Sequence, residues 1–144
     1  MNAAGLVVLA LLWLPPAVAL ADDAAVKLTL DGRPVDHNTG IAVLHRGGIF
    51  ADAIDLTKCF DGFISLRRDG SATITIGPNT ATFRPGSRHA IINAMVVELT
   101  AAPLMRNGDL YVPLAAFIAQ VAMVKMRADT ARHRADILVS FGPG

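Results

Sequence analysis

The chain predicts an α+β domain, mostly antiparallel β-sheet with two short helices, laid out as two divergent copies of a strand-turn-strand-helix-hairpin unit over about residues 26–84 and 88–140. Three observations carry this. β-branched and aromatic residues fall in short runs separated by Asp-Gly, Asn-Gly and Pro-Gly pairs, the pattern of strands joined by tight turns. Only two stretches place apolar residues at three- and four-residue spacing, as a buried helical face requires. The stretch GGIFADAIDLTKCF returns, 61 residues on, as GDLYVPLAAFIAQV.

The elements follow in order. VKLTLDGRPVD, from Val26, reads as strand, Asp31-Gly32 turn and strand, because both turn residues accept positive φ. HRGGIFADAIDLTKCF gives turn, strand and a helix near 52–60, opened by Asp52 as N-cap and stopped by Asp61-Gly62. FISLRRDGSATITI alternates apolar and polar residues on both sides of Asp69-Gly70 and predicts a β-hairpin. ATFRPGSRHAIINAMVVELT adds strands around Thr82, Ile91 and Val97, broken at Pro85-Gly86 and Asn93-Ala94.

The second copy repeats the plan. Asn107-Gly108 is a turn and Leu110, Tyr111 and Val112 are strand formers. Pro113 keeps its predecessor extended, and its own φ suits the first helical position. Leu114, Phe117, Ile118 and Val121 then share one face of a helix near 113–121. MVKMRADTARHRADILVSF closes the unit with two strands joined by a polar turn from Asp129 to His133, and Ala122 stands where the first copy has Gly62. At the 61-residue slide Phe50 falls on Tyr111, Gly47 on Gly108, Leu56 on Phe117, Phe60 on Val121 and Ile76 on Ile137. With the helices covering sheet faces, the strands form one curved sheet or two facing half-sheets.

Residues 1–21 read as a cleaved signal peptide. Gly5 to Leu14 is an unbroken apolar run, Pro15-Pro16 follows, and Ala19-Leu20-Ala21 supplies an A-x-A-like site before Asp22-Asp23, although no Lys or Arg precedes the run. Residues 22–144 then form a single exported domain, periplasmic or secreted, with no membrane span after cleavage. A formal net charge of +1, mixed in sign and without a basic stripe, excludes nucleic acid as a partner. Cys59 is the one cysteine, so no internal disulfide forms; its place in an apolar helical stretch suits a small buried hydrophobe, the alternative being a thiol that links to a partner.

Catalytic patterns do not emerge. Asp52, Asp55 and Asp61 have the chemistry for acid-base work, but Asp52 and Asp61 suit helix ends and Asp55 the polar helical side. No nucleophile elbow, zinc-protease pair or phosphate-cradling glycine loop is present, and no cofactor is implied. His37, His45, His89 and His133 fall at strand ends and turns without a two-imidazole spacing, and Met123 and Met126 fit packing as well as they fit copper. One cluster points to a partner: Arg127, Arg132, His133 and Arg134, with Arg67 and Arg68 in the matching hairpin of the first copy, form a cationic rim suited to an anionic cell-wall polymer or an envelope protein.

A strand pair with a Gly turn, then Asn107-Gly108, Tyr111-Val112-Pro113-Leu114 opening a short helix, then a hairpin, resembles the copper amine oxidase N-terminal domain-like family, also called stalk domains. The likeness runs from about Val26 to Val139, its core being RNGDLYVPLAAFIAQVAMVKMRADTARHRADILV. The sequence departs from the family at Ala115, where a basic residue is usual, at Ala122, where glycine is usual, and in the first copy, which has Ala51-Asp52-Ala53 instead of Val-Pro-Leu. The resemblance implies an exported, non-catalytic accessory module that binds or spaces, without a copper site. The competing reading is a small periplasmic copper-binding protein.

Overall fold

The computed structural model describes residues 23–35 and 41–139, so the expected leader, His37 and Ser140 lie outside the described residues. Local turn chemistry fixes the first layer of organisation. Asp31-Gly32, Arg46-Gly47, Asn93-Ala94 and Asn107-Gly108 each place two successive residues at positive φ, the geometry whose twist matches that of paired strands. They join β2 (Lys27–Leu30) to β3 (Arg33–Pro34), β4 (Ala42–His45) to β5 (Gly48–Asp52), β9 (His89–Ile92) to β10 (Met95–Glu98), and β11 (Leu104–Arg106) to β12 (Asp109–Pro113). The expected hairpins across Asp69-Gly70 and across 129–133 are also present. They join β6 (Phe63–Leu66) to β7 (Ala72–Ile76) and β13 (Lys125–Asp129) to β14 (Arg134–Leu138), the latter through a 3-10 turn at Thr130–Arg132. β1 (Ala24–Ala25) and β8 (Asn79–Phe83) complete the strands.

These strands form three sheets, in the orders β1-β4-β5-β12-β11, β10-β9-β8-β7-β6 and β13-β14-β2-β3. The expectation of one curved sheet or two half-sheets is therefore corrected. A helix leaves directly from the end of β5 and another from the end of β12, so each following strand opens a new ladder instead of extending the old one. Pairing is antiparallel except between β14 and β2, which run parallel with Arg134 opposite Lys27 and Ile137 opposite Leu30.

Helix α1 (Ala53–Cys59) starts where Asp52 accepts hydrogen bonds from the amides of Ile54 at 2.9 Å and Asp55 at 3.1 Å. It turns Ala53, Leu56 and Thr57 inward, and Cys59, off that face, is half-buried, not the enclosed residue its apolar neighbours suggested. The helix stop divides its labour in a way the sequence does not show. Asp61 carries the left-handed φ of 55°, while Gly62 is needed for space, since a Cβ there would lie 2.6 Å from the Thr75 carbonyl oxygen.

Helix α2 (Leu114–Phe117) widens into a π-helical segment, Ile118–Ala122, ended by Met123 at φ 55°. Pro113 is the N-cap and not the first helical residue: its ψ of 120° is that of a strand, and it closes β12 opposite Phe50. The expected apolar face is present, with Leu114, Phe117, Ile118 and Val121 all buried. They join Leu28, Ile74, Phe83, Val112 and Ile137 in one core cluster fed by all three sheets. A smaller cluster of Val43, Phe50 and Tyr111 packs separately.

Candidate functional site

The third sheet turns one face to the core and the other outward, because strand residues alternate. Leu28, Ala135 and Ile137 are buried and Met126 packs on the core. Lys27, Thr29, Arg127, Asp129, Arg134 and Asp136 accordingly share the outer face and line a shallow depression of about 390 Å³. Register sets their order: Arg134 stands between Lys27 and Asp129, and Asp136 between Thr29 and Arg127.

Both carboxylates of this face are held locally. Asp136 Oδ1 accepts from Thr29 Oγ1 at 2.6 Å and from the Gly32 amide at 2.9 Å. Asp129 Oδ1 accepts from the Arg132 amide at 3.2 Å, with its Oδ2 3.8 Å from Arg132 Nε. Lys27, Arg127 and Arg134 make no ion pair among the described residues. The face presents three cations without a close ion-pair partner beside the Asp129 and Asp136 carboxylates, an arrangement in which the cations can still donate charge-assisted hydrogen bonds to an anion.

The rim expected from sequence is thus distributed. Arg127 and Arg134 line the depression, Arg132 is tied to Asp129, and exposed His133 follows the 3-10 turn at φ 54°. Arg67 lines a different, smaller depression of about 130 Å³ that also contains Asp109, and Arg68 is exposed in the same turn. Lys27 was missed, because only the parallel pairing of β14 with β2 carries it next to Arg134.

A second polar cluster was also missed. Asp23 Oδ1 lies 2.6 Å from His45 Nδ1, and Arg106 Nε donates to Asp23 Oδ2 at 3.3 Å. The guanidinium lies 5.5 Å from the centre of the Tyr111 ring, and His45 meets Phe50 edge to face at 5.7 Å. The hydrogen bond from His45 does most to hold the Asp23 carboxyl below its ordinary range, opposed by burial and assisted by the His45 and Arg106 charges and the Arg106 hydrogen bond. One signal was available: His45 and Arg106 are superposed by the 61-residue slide. The cluster anchors the start of β1 against β4 and serves as a clasp.

Elsewhere, burial pushes the Asp52 carboxyl above its ordinary range, with the charges of Asp55 and Asp109 adding to the shift and the capped amides opposing it. Among the described residues no three His, Cys, Asp or Glu side chains gather in a set that could hold a metal ion. Met123 is exposed and Met126 packs on the core, so the two sulfur atoms are placed in different surroundings. Among the described residues no helix is long and apolar enough to cross a membrane.

The described residues form a strand-rich domain with two short helices and a charged outer sheet face. The family model described as the copper amine oxidase N-terminal domain matches residues 24–136, from β1 into β14, and the chain belongs to that family. No curated protein matches the chain.

Proposed function

We propose that the chain is an exported, non-catalytic module of stalk type, cleaved from its leader after Ala21, that acts at the cell envelope by binding an anionic polymer through the outer face of the third sheet. The observation that carries this is the trio Lys27, Arg127 and Arg134, brought together on one face without ion-pair partners while the neighbouring carboxylates are occupied. Membership of an accessory-domain family supports a binding or spacing role. We further propose that the chain consists of two diverged copies. The hairpin registers support it: Val43 faces Phe50 and His45 faces Gly48 as Leu104 faces Tyr111 and Arg106 faces Asp109, each at the 61-residue slide.

The test is retention of the secreted chain on immobilised polyglycerol phosphate across a salt gradient, beside the Arg127→Glu/Arg134→Glu variant. Salt-sensitive retention that the variant loses, with Arg67→Glu/Arg68→Glu retained, supports the reading, since each neutralised phosphate contributes to the salt slope. Equal retention of both variants, or capture of an envelope protein without polymer binding, sinks it. Tight stoichiometric uptake of Cu(I) or Cu(II) in equilibrium dialysis would instead favour the copper-binding reading.

A further inference from the structure

The outer face of the third sheet is not simply cationic. Register sets its charges in two rows across β13, β14 and β2: Asp129, Arg134 and Lys27 in one, Arg127, Asp136 and Thr29 in the next. Rows on one face lie about 7 Å apart along a strand, and facing side chains about 5 Å apart across a ladder. Between β13 and β14 the signs therefore alternate both along and across the strands, within one shallow depression.

The two carboxylates differ in what balances them. Asp129 has the Arg132 guanidinium 3.8 Å from its Oδ2 and the Arg132 amide on its Oδ1. Asp136 is held only by neutral donors, the Thr29 hydroxyl at 2.6 Å and the Gly32 amide at 2.9 Å, both on Oδ1. Among the described residues no cation lies within ion-pair distance of Asp136, and its Oδ2 accepts no hydrogen bond. Arg127 faces it across the ladder without closing an ion pair. A solvent-exposed pair gains little by closing, because two long side chains must be immobilised to make it. Both charges are left open to a ligand.

We infer that the ligand of this face is zwitterionic: a phosphodiester chain bearing primary-amine substituents, its phosphate held by Arg127 and Arg134 and its ammonium by Asp136. This rests on the anion-binding reading above and narrows it. Arg127 and Arg134 flank Asp136, one directly across the ladder and the other two residues back along the same strand. A phosphate that takes both guanidiniums sits within about one strand repeat of the Asp136 carboxylate, roughly 7 Å. The ammonium must then follow the phosphate by only a few bonds, as it does in an amino-acyl ester on the polymer's own hydroxyl. Lys27, next to Arg134 on the far side from Asp129, is left for the following phosphate. A chain of phosphates without amines meets the Asp136 charge as a repulsion, so this residue sets specificity.

Retention of the secreted chain on two resins tests it: polyglycerol phosphate, and the same polymer carrying alanyl esters, in mildly acidic buffer that preserves the ester. The parent is expected to hold the alanylated polymer about two- to fivefold more tightly despite its lower net charge, the scale of one exposed ion pair. Asp136→Asn keeps an Oδ1 acceptor for Thr29 and Gly32 and removes the charge. It should loosen the alanylated polymer and tighten the plain one. Asp129→Asn should leave the parent's preference in place, because Arg132 already balances that carboxylate. Equal retention of the parent on both resins, or a preference for the plain polymer, overturns the inference and leaves the anion-binding reading standing. A preference that survives Asp136→Asn, or a loss shared equally by both resins in that variant, overturns the role of Asp136. Retention on neither resin overturns the anion-binding reading and this inference with it.

Discussion

Asp52 and Pro113 adopt the same backbone conformation, φ −61° and ψ 124° against φ −60° and ψ 120°, at the ends of two neighbouring antiparallel strands. Each hands its strand to a helix. Asp52 does so by accepting two amide hydrogen bonds, and Pro113 by a ring that fixes φ and offers no acceptor. One junction is set by a hydrogen-bond acceptor, the other by a covalent restraint, and the two respond to mutation differently.

At Asp52 the cap and the charge can be separated. Asp52→Ala removes the acceptor and is expected to destabilise by about 0.5–2 kcal/mol. Asp52→Asn keeps an acceptor and removes a desolvated charge. Because the folded carboxyl is raised above 3.8, its favourable contribution is complete below that value and is lost as pH rises through the folded pKa. Asp52→Asn should therefore gain on the parent as pH rises toward neutrality. Thermal melts at acidic and neutral pH check this, and an Asn variant as unstable as Ala at neutral pH would contradict it.

At the second junction, Pro113→Gly mainly frees the unfolded chain and is expected to destabilise by about 0.5–1 kcal/mol. Phe117, fully buried and 6.1 Å from the Phe60 ring centre, is a different matter. Phe117→Ala should destabilise by about 3–5 kcal/mol through lost burial and a cavity. Urea unfolding of both variants gives the ordering, and equal losses would mean that the junction is not the scaffold element described.

Gly62→Ala is expected to destabilise by about 1–3 kcal/mol, because the new methyl meets a backbone carbonyl oxygen and the Ile76 side chain at 2.9 Å. Gly77→Ala serves as the control, as a methyl there meets nothing within 4 Å and only the φ of 58° opposes it. A Gly62 variant no less stable than the control would show that β7 can retreat.

Asp23 predicts an acid-sensitive clasp. Its folded pKa is lowered, so its stabilising contribution is present above the ordinary carboxylate value of 3.8 and disappears as pH falls through the lower folded value. The difference in melting temperature between the parent and Asp23→Asn should be level near neutrality and shrink at strongly acidic pH. A difference that grows on acidification would assign the clasp to another group.

What the sequence made legible was local. Turn pairs such as Asn107-Gly108 declare their φ angles through residue chemistry, and the apolar face of Leu114, Phe117, Ile118 and Val121 declares itself by spacing. Gly62 read as a helix stop because the Thr75 carbonyl that requires it lies on another strand. Arg127 and Arg134 were visible as charges, but which arginines are compensated depends on Asp129 folding back onto Arg132. Lys27 was invisible as a site residue because its neighbour Arg134 is more than one hundred positions away. The clasp of Asp23, His45 and Arg106 was hidden for the same reason: its members meet only through strand pairing.

The parallel pairing of β2 with β14 sets an order of events during synthesis. β2 emerges early from the ribosome, yet its neighbour Arg134–Leu138 is made more than one hundred residues later. Until then Leu28 lacks Ala135 beside it, and the Thr29 hydroxyl lacks its Asp136 acceptor. The long loop must be closed before that contact is rewarded, which makes the last hairpin the gate to completion. A chain in which one of its first strands waits for its last one stays incompletely folded until elongation is nearly over.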